Sequence, residues 1–490
     1  MNSKRIENVH FIGIGGVGMS GIARIAHEKG MVVSGSDLKE SRYTKQLKDL
    51  GIKVFIGHSP ENVPAGNPVI VVSTAILDNN PEFIEVKKRG LEIWHRAQML
   101  AHLGSGLKTL AVAGTHGKTT TSSMLASALV ALGKSPTYLI GGIVRESGTN
   151  ACSGSGQFYV VEADESDKSF TYLSPETVLI TNIEADHLDH YRDINEIYDK
   201  FLDFMKLVPE AGTVVVCAES EKLCKLAAQS GRRVVTYGTA STCDVCVKTF
   251  VPKGIGSEYE LEINPAIFPG GVRETNAASS GGENGATGKI KVKGAIKQNP
   301  GAHNVLNAAG VVTLLATRGF DAQKVADALR NFAGVRRRFD LVGEVSGVSV
   351  VDDYAHHPTE IAATLKAALS LNYKHVHVLF QPHRYSRVGL FTEVLHDEFA
   401  SAFDGVETVT FMDVFPAGET PVPGVSGKTF LDVVLQHLGH PKAEYVPRRI
   451  DVVPHIMQNV SAGDLVITMG AGDVSAIGPQ IIDALLARRG

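Results

Sequence analysis

Three groups of residues in this sequence have types and spacings suited to chemistry. The first is Gly114-Thr115-His116-Gly117-Lys118-Thr119-Thr120, which follows an apolar run and opens a helical stretch. In such a loop successive backbone N–H groups cradle phosphate, the lysine reaches the β and γ oxygens, and the threonine hydroxyl holds Mg2+. Gly114 stands three residues before Gly117, where the standard phosphate loop spaces its glycines by five. Two acidic segments belong with this loop: Glu162 to Asp167, which includes Glu165, and Asn182 to Asp189, which includes His187. Oxygen donors suit Mg2+ and a histidine completes such a set, so Glu162 and His187 join Thr119 as metal candidates. The second group is Gly13, Gly15 and Gly18, a G-x-G-x-x-G with Gly16 inside it, with Asp37 placed 19 residues after Gly18. Such glycines admit a diphosphate to the backbone at a helix N-terminus, without saying which diphosphate binds. The third group is Asp352 to Pro358 together with Gln381 to Arg387. Tyr354, His356, His383, Arg384 and Arg387 stand there, and guanidinium groups bind a carboxylate bidentately.

These groups need strands to aim them. Apolar runs at Val9–Ile14, Met31–Ser34 and Val69–Val72 read as strands, the last leading into Ser73 and Thr74. Gly16 to Ala26 has helical spacing. A second series starts near Lys108: strands at Thr109–Ala113, Phe158–Val161, Val178–Thr181, Val214–Cys217 and Val234–Tyr237, with a helix from Lys118 to about Leu132. Asn304 to Phe332 reads as two helices, and Arg336, Arg337 and Arg338 as a hinge. Strands resume at Val350–Asp352, His375–Phe380, Thr408–Met412 and Leu465–Thr468. Strands alternating with helices imply an α/β fold with mostly parallel sheets. Each chemical group follows a strand, and ligands of such sheets bind at the C-terminal strand ends.

At 490 residues the chain has room for about three domains. We place them at 1–107, 108–334 and 335–490. Residues 252–300 break the alternation, and Pro269 to Gly288 holds almost no large apolar side chain, so a flexible surface loop is expected there. Lys plus Arg is 48 and Asp plus Glu is 52, a net charge of −4, which argues against a nucleic-acid partner. No apolar run is long enough for a membrane span, and the N-terminus does not read as a signal peptide. Five cysteines, an odd and sparse set, point to a reducing cytoplasm, and the lone pair Cys243 and Cys246 lacks a second ligand pair.

Together these segments resemble the Mur ligase family. The resemblance rests on FIGIGGVGMSGIA, GTHGKTTT, EADESDKSF, TNIEADHLDHY, HNVLNAAG, GVRRRF, DDYAHHPTE, QPHRYSR and TMGAGDV, which span nearly the whole chain in the family's order. It implies a Rossmann-like N-terminal domain for the UDP part of a substrate, with Gly13, Gly15, Gly16, Gly18, Asp37, Ser73 and Thr74 around it. It implies a central P-loop-type domain that binds ATP through Gly114 to Thr120, with Asn304 reading adenine. Thr119, Glu162 and His187 would hold Mg2+, or Mn2+ in its place. A Rossmann-like C-terminal domain would bring the amino acid to Tyr354, His356, Arg384 and Arg387, with His383 beside them. Arg337 is the member of the arginine run taken to contact ATP phosphate. The implied reaction is ATP-driven ligation of L-alanine to the lactyl carboxylate of UDP-N-acetylmuramate, the first amino-acid addition in peptidoglycan precursor synthesis. Lys118 and Arg337 would neutralise the phosphoryl group, and His356 or His383 would take the amine proton. The stretch around 269–288 departs from the family pattern but contains none of these residues.

Other readings explain less. A recycling ligase that attaches a whole tripeptide to the same nucleotide shares most motifs, but GIGGVGMSG looks more like the alanine-adding members. A nicotinamide-dependent oxidoreductase leaves the GTHGKTT loop and the acidic strand ends unexplained. A non-enzymatic ATP-dependent switch leaves the C-terminal His/Arg cluster without a task.

Overall fold

The computed structural model of the chain describes residues 6–166, 169–184, 191–270 and 288–488. Among these residues three sheets form. The first has the strands β1 (Asn8–Ile12), β2 (Val32–Asp37), β3 (Lys53–Ile56), β4 (Val69–Val72) and β5 (Ile93–His95). Its order is β3-β2-β1-β4-β5, all parallel. The order reverses between β1 and β4, which opens a crevice at their C-terminal ends. The glycine loop follows β1, and Ser73 and Thr74 follow β4, so the crossover brings both to that crevice.

The second sheet has β6 (Lys108–Ala113), β7 (Thr137–Val144), β8 (Thr149–Cys152), β9 (Phe158–Glu162), β10 (Thr177–Ile180), β11 (Thr213–Cys217) and β12 (Arg233–Gly238). It continues through β13 (Val245–Lys253), β14 (Gly256–Ile263) and β15 (Ile290–Ile296). Strand β6 lies between β9 and β10, parallel to both. The phosphate loop after β6 therefore has an acidic segment on each side. Strands buried on both faces read as continuous apolar runs, which is why these were legible. Strands β14 and β15 fall in the region expected to be irregular. Their apolar residues alternate with lysine and glutamate (YELEI, IKVKGAI), a half-buried pattern masked by the composition around it. Residues 271–287 of the expected loop, and the metal candidate His187, lie outside the described residues.

The third sheet has β16 (Asp340–Val345), β17 (Val348–Asp353), β18 (Val376–Phe380), β19 (Thr408–Phe411), β20 (Lys442–Tyr445) and β21 (Leu465–Met469). Its order is β16-β17-β21-β18-β19-β20, parallel except for β16. The segments after β17, β18 and β21 thus leave from one edge.

By compactness the chain divides into two units. One comprises Met1–Lys248, Glu260–Lys293 and Leu306–Leu329; the other comprises Thr249–Tyr259, Gly294–Val305 and Arg330–Gly490. The first expected domain and most of the second share the first unit because one apolar core runs through both, from Phe11 and Ile22 to Leu139 and Tyr159. Helix Val17–Glu28 lies close against β7 and β8: a Cβ at Gly21 would sit 2.8 Å from Leu139 Cδ1. Arg24 donates to Thr149 Oγ1 (3.0 Å), Asn150 Nδ2 to the Val17 carbonyl (3.2 Å), and Ser153 N–H to Glu28 (2.7 Å).

Candidate active site

The glycine loop is shaped from below. Gly13 (φ +84°) and Ile14 both donate backbone N–H to the Ser36 carbonyl, at 2.8 and 2.9 Å. Asp37 Oδ2 accepts the Gly15 N–H at 2.8 Å, and a Cβ at Gly15 would press on that carboxylate. Asp37 thus fastens the loop's own backbone. Gly16 caps helix Val17–Glu28 with no side-chain hydrogen bond, which leaves that helix start open to an anion. Ser73 is partly buried and Thr74 exposed after β4.

Beneath the loop lies a buried polar network. Glu82 Oε2 accepts from Ser36 Oγ (2.8 Å) and faces His10 Nε2 (3.1 Å). Its Oε1 accepts from Asn62 Nδ2 (2.8 Å) and Ser59 N–H (3.2 Å) and faces His58 Nδ1 (3.3 Å). Burial pushes the Glu82 carboxyl upward, but hydrogen bonds from His10, Asn62 and Ser36 outweigh it and hold it at about 2. The network reaches the loop through Ser36. Glu82 has no motif around it, so the sequence did not reveal it.

Arg96 was also missed. It opens helix Arg96–Leu103 directly after β5, a strand end on the site's edge. Its Nη1 would lie 3.6 Å from a Cβ at Gly18, and its Nη2 is 3.9 Å from Asp164 Oδ2. One guanidinium therefore stands between the glycine loop and the acidic end of β9.

The phosphate loop is held by the segment after β10. His116 N–H donates to Asn182 Oδ1 (2.8 Å), Thr181 Oγ1 to the His116 carbonyl (2.6 Å), and Thr115 Oγ1 accepts the Glu184 N–H (2.8 Å). The His116 ring lies 3.4 Å from Glu184 Oε2. Gly114 (φ +137°) passes so close to Thr181 that a Cβ would collide with Oγ1. Gly117 (φ +83°) caps helix Lys118–Ala131, and Thr119 and Thr120 are buried on its first turn.

Lys118 Nζ donates to the Gly114 carbonyl (2.5 Å), the Thr115 carbonyl (3.0 Å) and Glu165 Oε1 (2.8 Å). Burial alone would lower its pKa, but Glu165, Asp164 and Glu162 raise it, so the ammonium stays charged. Burial raises Glu165 to about 7 against the pull of Lys118, and raises Glu162 against Gly141 N–H, Lys118 and Thr119.

Thr119 Oγ1 donates to Glu162 Oε1 at 2.9 Å. These are two oxygen donors at one point, one of them a half-buried carboxylate that a cation would stabilise. The pair fits a hard divalent ion.

In the second unit, Arg337 (φ +64°) bonds Asp352 Oδ2 through Nε (3.2 Å) and the Gly470 carbonyl through Nη2 (2.5 Å). Its Nη1 has no hydrogen bond among the described residues. Arg337 thus ties the ends of β17 and β21 together. Arg338 lies 3.7 Å from Glu360 Oε1, both it and Arg337 lie over the Tyr354 ring, and Arg336 is exposed. His356 Nδ1 is 3.1 Å from the Tyr354 carbonyl and 3.3 Å from Glu360 Oε2. The His356 and His383 rings are 6.0 Å apart, and His383 stacks on Phe415.

Burial, then His356, Arg387 and Arg384, lower His383 to about 3, so it is neutral at working pH. Its Nδ1 and the Arg387 Nη1 are buried without a hydrogen-bond partner among the described residues. Such atoms mark a place for a ligand. Arg384 takes φ +70° and donates its N–H to the Phe415 carbonyl (2.9 Å), which turns the chain so that Arg387 follows on a short helical turn. Asn304 is buried, with its amide donating to the Pro300 carbonyl (3.0 Å). Cys243 and Cys246 are buried free thiols and belong to no metal-type cluster among the described residues.

Residues 8–107 match the Mur ligase family, catalytic domain; residues 112–315 the Mur ligase middle domain; and residues 337–472 the Mur ligase, glutamate ligase domain. The chain belongs to the Mur ligase family. This Mur ligase is 41% identical to the UDP-N-acetylmuramate–L-alanine ligase of Acidobacterium capsulatum over 99% of both chains. It is also 41% identical to that of Thermobifida fusca over 98% of this chain and 97% of the relative. Among solved structures, the UDP-N-acetylmuramate–alanine ligase of Thermotoga maritima superposes with a TM-score of 0.76 at 29% identity, covering 98% of this chain and 99% of that one. A murein peptide ligase from Psychrobacter arcticus shares the fold at a TM-score of 0.67 and 23% identity, over 98% of each chain. No helix among the described residues is long and apolar enough to cross a membrane.

Proposed function

We propose that this Mur ligase joins L-alanine to the lactyl carboxylate of UDP-N-acetylmuramate at the expense of ATP, in the cytoplasm. The observation that carries the reading is the full-length identity to relatives that bear this activity in their names, and the site chemistry agrees with it. We take the units of function as residues 1–107 for the nucleotide sugar, 108–334 for ATP and 335–490 for the amino acid.

The glycine loop, with Gly13, Gly15, Gly16 and Gly18, receives the UDP diphosphate at an uncapped helix start, with Ser73 and Thr74 at the neighbouring strand end. Asp37 keeps the loop in shape. Gly114 to Thr120 hold the ATP phosphates, and Asn304 meets the adenine. Lys118 exchanges its bonds to the loop carbonyls for bonds to phosphate oxygens. Thr119 and Glu162, with His187, would hold Mg2+ or Mn2+; when bound there, such an ion supplies positive charge to the phosphate oxygens.

The lactyl carboxylate attacks the γ-phosphorus, ADP leaves, and an acyl phosphate forms. Lys118 and the free Nη1 of Arg337 neutralise charge on the moving phosphoryl group; positioning and electrostatics supply most of the rate. The alanine amine then attacks the acyl carbon and phosphate leaves.

Arg387, with its unpartnered Nη1, and Arg384 take the alanine carboxylate beside Tyr354. Of the two histidines, His356 suits the proton transfer. Its Nδ1 rests on the Tyr354 carbonyl, which leaves Nε2 as the basic atom. His383, held neutral near 3, is too weak a base and serves as a hydrogen-bond acceptor.

The test is oxygen transfer. With the lactyl carboxylate labelled with oxygen-18, one labelled oxygen should appear in the released phosphate. Unlabelled phosphate would refute the acyl-phosphate route.

A further inference from the structure

At the opposite edge of the third sheet, away from the segments that follow its strands, three side chains converge. His375 precedes β18 and His377 lies within it, and residues two apart on a strand share a face. Asp464 precedes β21, the neighbouring parallel strand, whose Leu465 N–H bonds the His375 carbonyl. His375 Nδ1 is 3.0 Å from Asp464 Oδ1, and His377 Nε2 is 3.4 Å from Asp464 Oδ2. One ligand atom from each of the three lies within 4.8 Å of the others.

We propose that His375, His377 and Asp464 form a binding site for a divalent transition-metal ion of the zinc class, separate from the Mg2+ and ATP site. Two imidazoles and one carboxylate are the ligand types zinc takes, in a three-residue set that leaves a fourth position for water. The surroundings have the hydrogen bonds that orient metal ligands. Thr408 Oγ1 lies 2.9 Å from His377 Nδ1 and holds the ring from one side, so that Nε2 faces Asp464. Ser461 holds Asp464 Oδ2 through its N–H (2.8 Å) and hydroxyl (3.0 Å). Asp464 and His377 are buried, while the His375 side chain is 48% exposed, which provides the entry path.

The ion would join the start of β18 to the start of β21. The residues placed in catalysis follow the far ends of these strands, so its role is structural. It would clip two central strands together without entering the ligation.

The experiment is zinc titration of the full chain by calorimetry without magnesium, comparing the unsubstituted protein with His375→Ala and His377→Ala. Asp464→Ala is avoided as the main probe because Asp464 also anchors the Ser461 turn. The expected result is one zinc ion per chain whose affinity falls roughly tenfold or more in each variant. Zinc should raise the melting temperature of the unsubstituted protein but not that of His375→Ala. Phosphate release with magnesium and ATP should be the same in His375→Ala and the unsubstituted protein. Zinc binding unchanged in His375→Ala, or no zinc bound by the unsubstituted protein, would overturn the proposal.

Discussion

Replacing Glu82 by Gln tests whether the network under the glycine loop does what its geometry implies. The substitution keeps the shape but turns one accepting oxygen into a donor. Whichever way the amide faces, it loses either His10 and Ser36 or Asn62, Ser59 and His58 as partners. A carboxyl held at about 2 rather than its ordinary 4.5 contributes about 3 kcal/mol of stability at neutral pH. Because the folded-state pKa is depressed, that contribution is fully present above pH 4.5. It is lost as pH falls toward 2, with roughly 1.5 kcal/mol left at pH 3.

The chain's single tryptophan, Trp94, lies on β5 of the same sheet and reports its unfolding. Followed by Trp94 fluorescence, Glu82→Gln should melt roughly 5–10 °C lower at pH 7. The gap should narrow at pH 3. Since Ser36 links Glu82 to Gly13 and Ile14, the KM for UDP-N-acetylmuramate should rise while that for ATP stays put. A loss below about 1 kcal/mol, or a gap independent of pH, would refute the assignment.

Other substitutions bear on the remaining parts of the site. Gly114→Ala forces a Cβ into Thr181 and displaces the phosphate loop, so ligation should fall roughly a hundredfold with the fold retained by circular dichroism. Arg337→Ala removes the tie from Asp352 to the Gly470 carbonyl; it should cost about 2 kcal/mol in urea unfolding as well as turnover. His383→Gln should leave the acidic limb of the pH profile of kcat/KM unmoved above pH 5, because His383 is already neutral there, whereas His356→Gln should lower kcat through loss of the proton acceptor. Gly21→Val pushes into Leu139 and Ala151, and should lower the melting temperature without changing the KM for L-alanine.

Much of the site was legible because its residues sit in short contiguous motifs at the ends of apolar strands. Gly13 to Gly18, Gly114 to Thr120 and Gln381 to Arg387 each announce a turn after a buried strand, and the parallel topology brings them to strand ends. What was not legible depends on contacts between distant segments. Glu82 reads locally as an acidic residue in a helix's first turn; only its meeting with His10 and Ser36 across the sheet gives it a role. Arg96 is one arginine among many until β5 places it beside Gly18. Asp37 is expected among the residues around UDP, while its carboxylate is bonded to the Gly15 N–H. The arginine run reads as a hinge, and the positive φ of Arg337 and its bond to the Gly470 carbonyl depend on contacts with a distant strand end. Strands β14 and β15 were hidden because their alternating pattern borders a stretch poor in apolar residues.

The most direct measurement of the central claim is phosphate release across all combinations of ATP, UDP-N-acetylmuramate, L-alanine and the tripeptide. The account predicts ADP and phosphate in equal amounts only when ATP, the nucleotide sugar and L-alanine are present together. Turnover that does not depend on alanine, or that prefers the tripeptide to alanine, would contradict it.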